Sequence, residues 1–81
     1  MTLTVLFFAQ ARDRAGCSQG ALELPAGSRV SEALDSLRVT YPGLESLLPH
    51  LAVALDGELV SREAPLRAGA ELALLPPVSG G

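Results

Sequence analysis

At 81 residues, 48% hydrophobic and 19% charged, the chain makes a single small domain with enough apolar material for a core, which argues against intrinsic disorder. Its formal net charge is −3, and its six basic residues are all arginine and thinly spread, so the clustered basic face that nucleic-acid binding needs is missing. Its apolar runs fall short of the roughly 20 residues needed to span a bilayer, which argues against a membrane partner.

Met1-Thr2-Leu3-Thr4 places no basic region ahead of the first apolar run, which argues against a secretory signal. A single cysteine, Cys17, excludes an internal disulfide framework and fits a reducing, cytoplasmic location. The absence of lysine has two readings. It reflects a coding bias towards Arg, Ala, Leu and Gly, or it leaves a chain that takes no conjugate on its own side chains.

Thr2 to Phe8 reads as a strand, rich in β-branched and aromatic residues and free of breakers. Leu3, Val5 and Phe7 fall on one face, and Thr4, Leu6 and Phe8 on the other. The polar, glycine-containing stretch Ala9 to Gly20 predicts a loop. Ala21 to Leu24 predicts a second strand closing on Pro25, so that the first two strands form a hairpin. Ser28 is placed to cap a helix. After it, Val30, Ala33, Leu34, Leu37 and Tyr41 make the stripe of an amphipathic helix. Glu32 and Asp35 sit early in that helix and Arg38 near its end, as the helix dipole prefers. Pro42-Gly43 stops it, and Leu44 to Leu48 adds a short helical turn.

Leu51 to Leu55 predicts a third strand, Asp56-Gly57 a two-residue hairpin turn, and Glu58 to Val60 a fourth strand. Arg67 to Ala70 is a turn, and Glu71 to Leu75 the last strand, ended by Pro76-Pro77. The order β-β-α-β-β-β predicts an α+β fold of β-grasp, ubiquitin-like type. It is a mixed sheet of about five strands under one main helix. The predicted organisation is a domain over residues 1–75 and a flexible Gly-Gly tail over 76–81.

In the last strand Glu71 takes the solvent side, which puts Ala73 and Leu75 outward and Leu72 and Leu74 inward. If Phe8, Leu59 and Leu75 all point outward, they form an apolar patch beside the exit of the tail, and such patches commonly mark partner surfaces. Periodicity alone leaves open that one or more of them faces the core.

Self-contained chemistry is scarce. His50 is the only histidine and lies between Pro49 and Leu51 in a loop, more in keeping with a surface side chain than with a base or ligand. Cys17 has no histidine or second cysteine near it in sequence, so neither a metal site nor a catalytic dyad is expected. Arg12 and Arg14 flank Asp13, either as solvated loop charge or as a partner-facing ion pair. Gly16 and Gly20 lack phosphate-loop spacing and a lysine.

The reactive group that remains is the carboxylate of Gly81, on a tail whose Gly80-Gly81 tip has no side chains. A carboxylate becomes an electrophile once an ATP-using partner adenylates it. A tip without Cβ atoms then lets that partner close around it and exclude water.

Val5-Leu6-Phe7-Phe8-Ala9 with Arg12-Asp13 and Gly16 resembles the opening of the molybdopterin synthase small subunit family, ubiquitin-like sulfur carriers of the MoaD/ThiS type. Pro65-Leu66, the Gly69 turn and Leu74-Leu75-Pro76-Pro77-Val78-Ser79-Gly80-Gly81 resemble that family's ending. The resemblance covers essentially the whole chain. It implies a β-grasp sulfur carrier of molybdenum-cofactor biosynthesis that binds no cofactor and no metal itself.

Gly81 would be adenylated by an ATP-dependent activating enzyme and converted to a thiocarboxylate with sulfur from a donor protein. Gly80 would give the tail access. Phe8, Leu59, Leu75, Pro76, Pro77, Val78 and Ser79 would meet the partner. Leu75 stands where the family often has an aromatic residue. The main partner would be the large subunit of molybdopterin synthase, in a heterotetramer of two small and two large subunits. There the sulfur would pass to cyclic pyranopterin monophosphate to build the dithiolene. This chain would be the non-catalytic sulfur-donor subunit of a sulfurtransferase complex. The alternatives are a carrier for thiamin thiazole or tRNA thiolation, and a ubiquitin-like protein modifier.

Overall fold

The computed structural model of the chain describes residues 1–77. In chain order the elements are β1 (Thr2–Phe7), α1 (Gln10–Ala15), β2 (Gln19–Glu23), α2 (Val30–Thr40), β3 (Ala52–Leu55), β4 (Glu58–Val60) and β5 (Glu71–Leu75). Short 3-10 turns at Pro42–Leu44 and Leu48–His50 lie between α2 and β3. The strands form one mixed sheet in the order β2-β1-β5-β3-β4. β5 runs parallel to β1 and antiparallel to β3, while the β1–β2 and β3–β4 pairs are antiparallel. This is the β-grasp arrangement expected from the element order, with α2 as the main helix.

The inner face of the sheet and the apolar stripe of α2 make the core. Leu3, Val5 and Phe7 of β1, Val53 of β3, and Leu72 and Leu74 of β5 are buried together with Val30, Ala33, Leu34 and Leu37 of α2. Period-2 and period-3.6 patterns therefore meet on facing surfaces. Leu44, Leu47, Leu48 and Leu51 close one end of this cluster. Tyr41 packs edge-on against Phe7, with ring centroids 5.1 Å apart and planes at 67°.

Four local expectations are corrected. The stretch Ala9 to Gly20 is not a loop throughout: Gln10–Ala15 is helical, held by wholly buried Ala11. β1 and β2 pair antiparallel as expected, joined through this helix, and β2 begins at Gln19, ahead of the expected Ala21. The N-cap of α2 is Arg29 rather than Ser28. Ser28 is buried and its hydroxyl donates to the Pro25 carbonyl at 2.8 Å.

The free amides at the start of α2 find tertiary partners instead. Val30 N–H donates to Ala64 O at 3.0 Å and Ser31 N–H to Arg62 O at 2.9 Å, while Glu32 Oε1 accepts from the Arg29 amide at 2.9 Å. The segment Leu44 to Leu48 holds no single helical turn, because the 3-10 turns fall on either side of its centre. The Asp56-Gly57 turn is as expected, with φ of 51° and 88°, both in the left-handed region that a two-residue hairpin turn requires.

Candidate functional site

The sheet has one face covered by α2 and one face left open, and the register identifies what the open face carries. Leu6 pairs with Ala73, Ala73 with Ala54, and Ala54 with Leu59. Directly opposed residues point to the same side of a sheet, so these four make an apolar row across four strands. Leu59 is 73% exposed at its end, and Ala54 is shielded yet stands outside the core cluster. One step along the strands, Ala52 pairs with Leu75. The β1–β5 register ends at Phe7 and Leu74, and Phe8 and Leu75 follow these two at the same end of the sheet. Phe8 is 45% exposed and Leu75 half-buried.

The opposite end of this face is polar. Thr4 pairs with Glu71, and the β3–β4 turn beside them carries Asp56. Asp56 Oδ1 accepts from the Glu71 amide at 2.9 Å, and Asp56 Oδ2 meets Arg67 Nη2 at 2.6 Å. These contacts hold the Asp56 carboxyl below the usual carboxylate range, the backbone hydrogen bond from Glu71 contributing most and Arg67 less. The apolar half of the face thus lies at the end where β5 leaves the sheet. There Pro76 is half-buried and Pro77 exposed.

Leu59 and Leu75 accordingly share the open face, Phe8 is exposed at the end of β1 beside it, and Leu72 and Leu74 point into the core. Leu6, Ala54 and Ala73 complete the patch. Ala54 was not legible beforehand, since its membership depends on the β3–β5 register rather than on any local pattern. Val78, Ser79, Gly80 and Gly81 lie outside the described residues.

The remaining candidates are not brought together into a site. His50 is exposed. Arg12, Asp13 and Arg14 lie on α1, where Arg14 Nη1 donates to Ser46 Oγ at 2.8 Å. Cys17 is half-buried beside Tyr41, whose hydroxyl is pushed up in pKa first by burial and then by Cys17. A groove of about 190 Å³ on the helix side is lined by residues including Leu34, Asp35, Arg38, Leu48 and Arg62. Arg62 is already occupied there, donating to the carbonyls of Leu48 and Leu51. Among the described residues no group of His, Cys, Asp and Glu side chains is placed to hold a metal ion, and no helix is long and apolar enough to cross a membrane.

Comparison with known proteins places this geometry among relatives. The ThiS family model matches residues 5–81. The molybdopterin synthase sulfur carrier subunit of Arabidopsis thaliana is 37% identical over 79 residues, spanning 98% of this chain and 82% of the relative. The crystal structure of SAMP1 from Haloferax volcanii superposes with a TM-score of 0.93 at 32% identity, each chain covered in full. A chain from the complex of subunits 1 and 2 of molybdopterin-converting factor from Helicobacter pylori 26695 superposes with a TM-score of 0.70 at 27% identity, again with each chain covered in full.

Proposed function

The chain belongs to the ThiS family, and we propose that it serves there as a sulfur carrier, the small subunit of a molybdopterin synthase. The observation that carries this reading is the coincidence of two features at one end of the molecule. The apolar half of the open sheet face, with Phe8, Leu59 and Leu75, adjoins the point where β5 gives way to Pro76-Pro77, after which the sequence runs to Gly80-Gly81. A partner that covers the patch is thereby in position to take the tail. Resemblance to the Arabidopsis thaliana sulfur carrier subunit supports the pathway, and the Helicobacter pylori complex supports a large-subunit partner.

In this account an ATP-dependent activating enzyme attacks the α-phosphate of ATP with the Gly81 carboxylate, forming a glycyl adenylate and releasing pyrophosphate. A sulfide-level sulfur nucleophile supplied through a donor protein then adds to the glycyl carbonyl. The C–S bond forms as the C–O bond to AMP breaks, leaving a thiocarboxylate; a persulfide donor would in addition need a thiol to reduce the acyl disulfide. That group is ionised near neutral pH and keeps a nucleophilic sulfur, so the carrier needs no base of its own. Docked through Phe8, Leu59 and Leu75, with Pro76 to Ser79 threading inward, the tail brings its sulfur to attack cyclic pyranopterin monophosphate in the large subunit. Water then cleaves the acyl–sulfur bond of the resulting thioester, leaving sulfur on the pterin and returning the Gly81 carboxylate.

The groups that catalyse the transfer, and the pterin's phosphate site, belong to that subunit. The complex holds two small and two large subunits and works in the cytoplasm. Residues 1–75 form the presenting domain, and 76–81 the tail that carries the Gly81 carboxylate.

A second reading, a protein modifier joined to lysines through Gly81, draws on the similarity to SAMP1. Denaturing gels of cell extract probed for this protein separate the two, because a modifier gives covalent ladders and a carrier a single band. Deletion of Gly81, assayed in reconstituted molybdopterin synthesis, tests the carrier reading itself. The truncated chain is expected to keep the wild-type unfolding curve and lose sulfur transfer; transfer that survives the deletion would end this reading.

A further inference from the structure

The corner that follows β1 is built on a residue that local sterics disfavour. Ala9 has φ 50° and ψ −123°. Among the described residues, only Ala9 and Asp56 are non-glycine residues with positive φ. Asp56 sits in the left-handed region, which an aspartate tolerates. Ala9 instead sits at the first inner position of a type II′ turn, a place dominated by glycine because a Cβ there meets the backbone. The turn is closed by Ala11 N–H donating to Phe8 O at 2.9 Å, so its four residues are Phe8, Ala9, Gln10 and Ala11.

Strain of this kind persists only where the surroundings fix both ends of the segment. Both ends are fixed here. Phe7 on one side is 2% exposed in the core, and Ala11 on the other is wholly buried. α1 then holds its own position through Arg14 and Ser46. Between these anchors Phe8 is 45% exposed, and it stands outside the core cluster. Phe8 is therefore not anchored in the core, and the backbone of the turn bears directly on where it points.

We propose that Ala9 is a positioning residue for the docking face, its strained turn holding Phe8 at the apolar end of the open sheet. With both ends anchored, alanine is confined to a narrow range of angles in this turn, whereas a glycine would remove the clash and widen that range. Phe8 would then spend less time in the orientation that docks, and apparent affinity would fall by the fraction of time lost. The inference rests on the reading of Phe8, Leu59 and Leu75 as the surface met by the large subunit.

The test compares wild type, Ala9→Gly and Phe8→Ala. It measures thermal unfolding by far-UV circular dichroism and the Kd for the molybdopterin synthase large subunit of the same organism by calorimetry. Ala9→Gly is expected to raise Tm by about 4–8 °C as strain is relieved, and to raise Kd about 3- to 10-fold. Phe8→Ala is expected to leave Tm within about 3 °C of wild type, as for a surface change, and to raise Kd about 10-fold or more.

Loss of a merely structural residue lowers stability and affinity together, so the opposed signs for Ala9→Gly are the signature of positioning. An unchanged or lowered Tm for Ala9→Gly would overturn the inference. So would a wild-type Kd for Ala9→Gly while Phe8→Ala weakens binding, and the docking reading would then stand. A wild-type Kd for Phe8→Ala would remove the docking reading and this inference with it.

Discussion

Leu74 and Leu75 are neighbours on β5 with opposite fates, and truncating each in turn tests which face of the sheet is core. Leu74 is 0% exposed and pairs in register with Phe7 on one side and Val53 on the other, both buried. A Leu→Ala change in such a site costs roughly 3–5 kcal/mol through lost burial and the cavity left behind. A chain of this length has a total stability of only about 4–12 kcal/mol. At about 4–8 °C per kcal/mol, Leu74→Ala lowers Tm by at least about 12 °C and brings the weakest estimate of stability near zero.

Leu75 is half-buried and stands outside the core cluster, so Leu75→Ala forfeits about 1 kcal/mol or less. Thermal and urea unfolding followed by far-UV circular dichroism measure both changes, and an unchanged urea slope confirms that the unfolding transition itself is the same. Equal losses for the two variants, or a larger loss for Leu75→Ala, would refute the assignment of faces and with it the open apolar patch.

Three further outcomes follow from the same geometry. Leu59→Arg, at a residue 73% exposed, leaves stability within about 0.5 kcal/mol of wild type but sets a charge in the docking patch. Titration with the large subunit should show binding weakened by about tenfold or more. Gly43→Ala places a Cβ 2.6 Å from the Arg14 carbonyl oxygen, a backbone atom that yields only if α1 moves, and urea denaturation should read a loss of about 1–3 kcal/mol.

The folded-state pKa of Asp56 is depressed, so its stabilisation is present above the unfolded carboxylate value of about 4 and is lost as pH falls through the lower folded value. Asp56→Ala should therefore flatten the acid limb of a Tm-against-pH profile, and an unaltered acid limb would remove Asp56 as its source.

Much of the fold was legible because its signals are local. The Val30, Ala33, Leu34 and Leu37 stripe, the Asp56-Gly57 turn and the alternation in Glu71 to Leu75 each depend on residues a few positions apart. The misses have non-local or unusual causes. The cap of α2 could not be read from Ser28, because the amides it would have satisfied are taken by carbonyls of Arg62 and Ala64, more than thirty residues away. α1 was hidden because its leading turn uses Ala9 where glycine is the usual signal, and because the helix has no side-chain cap.

For the site, parity proposed Phe8, Leu59 and Leu75 but left their direction open. That direction is fixed by which face α2 covers, a tertiary fact. The patch is wider than those three residues, because Ala54 joins it only once β3 lies beside β5.

The central claim is that the Gly81 carboxylate carries the sulfur, and intact mass measures that most directly. The full chain is incubated with its activating enzyme, ATP and a sulfur donor, then weighed beside a sample without ATP and beside the Gly81 deletion. The account predicts an ATP-dependent gain equal to the difference between sulfur and oxygen, located in the C-terminal peptide and absent from the deletion. An unchanged mass in the presence of a competent activating enzyme, or the same gain in the deletion, would contradict it.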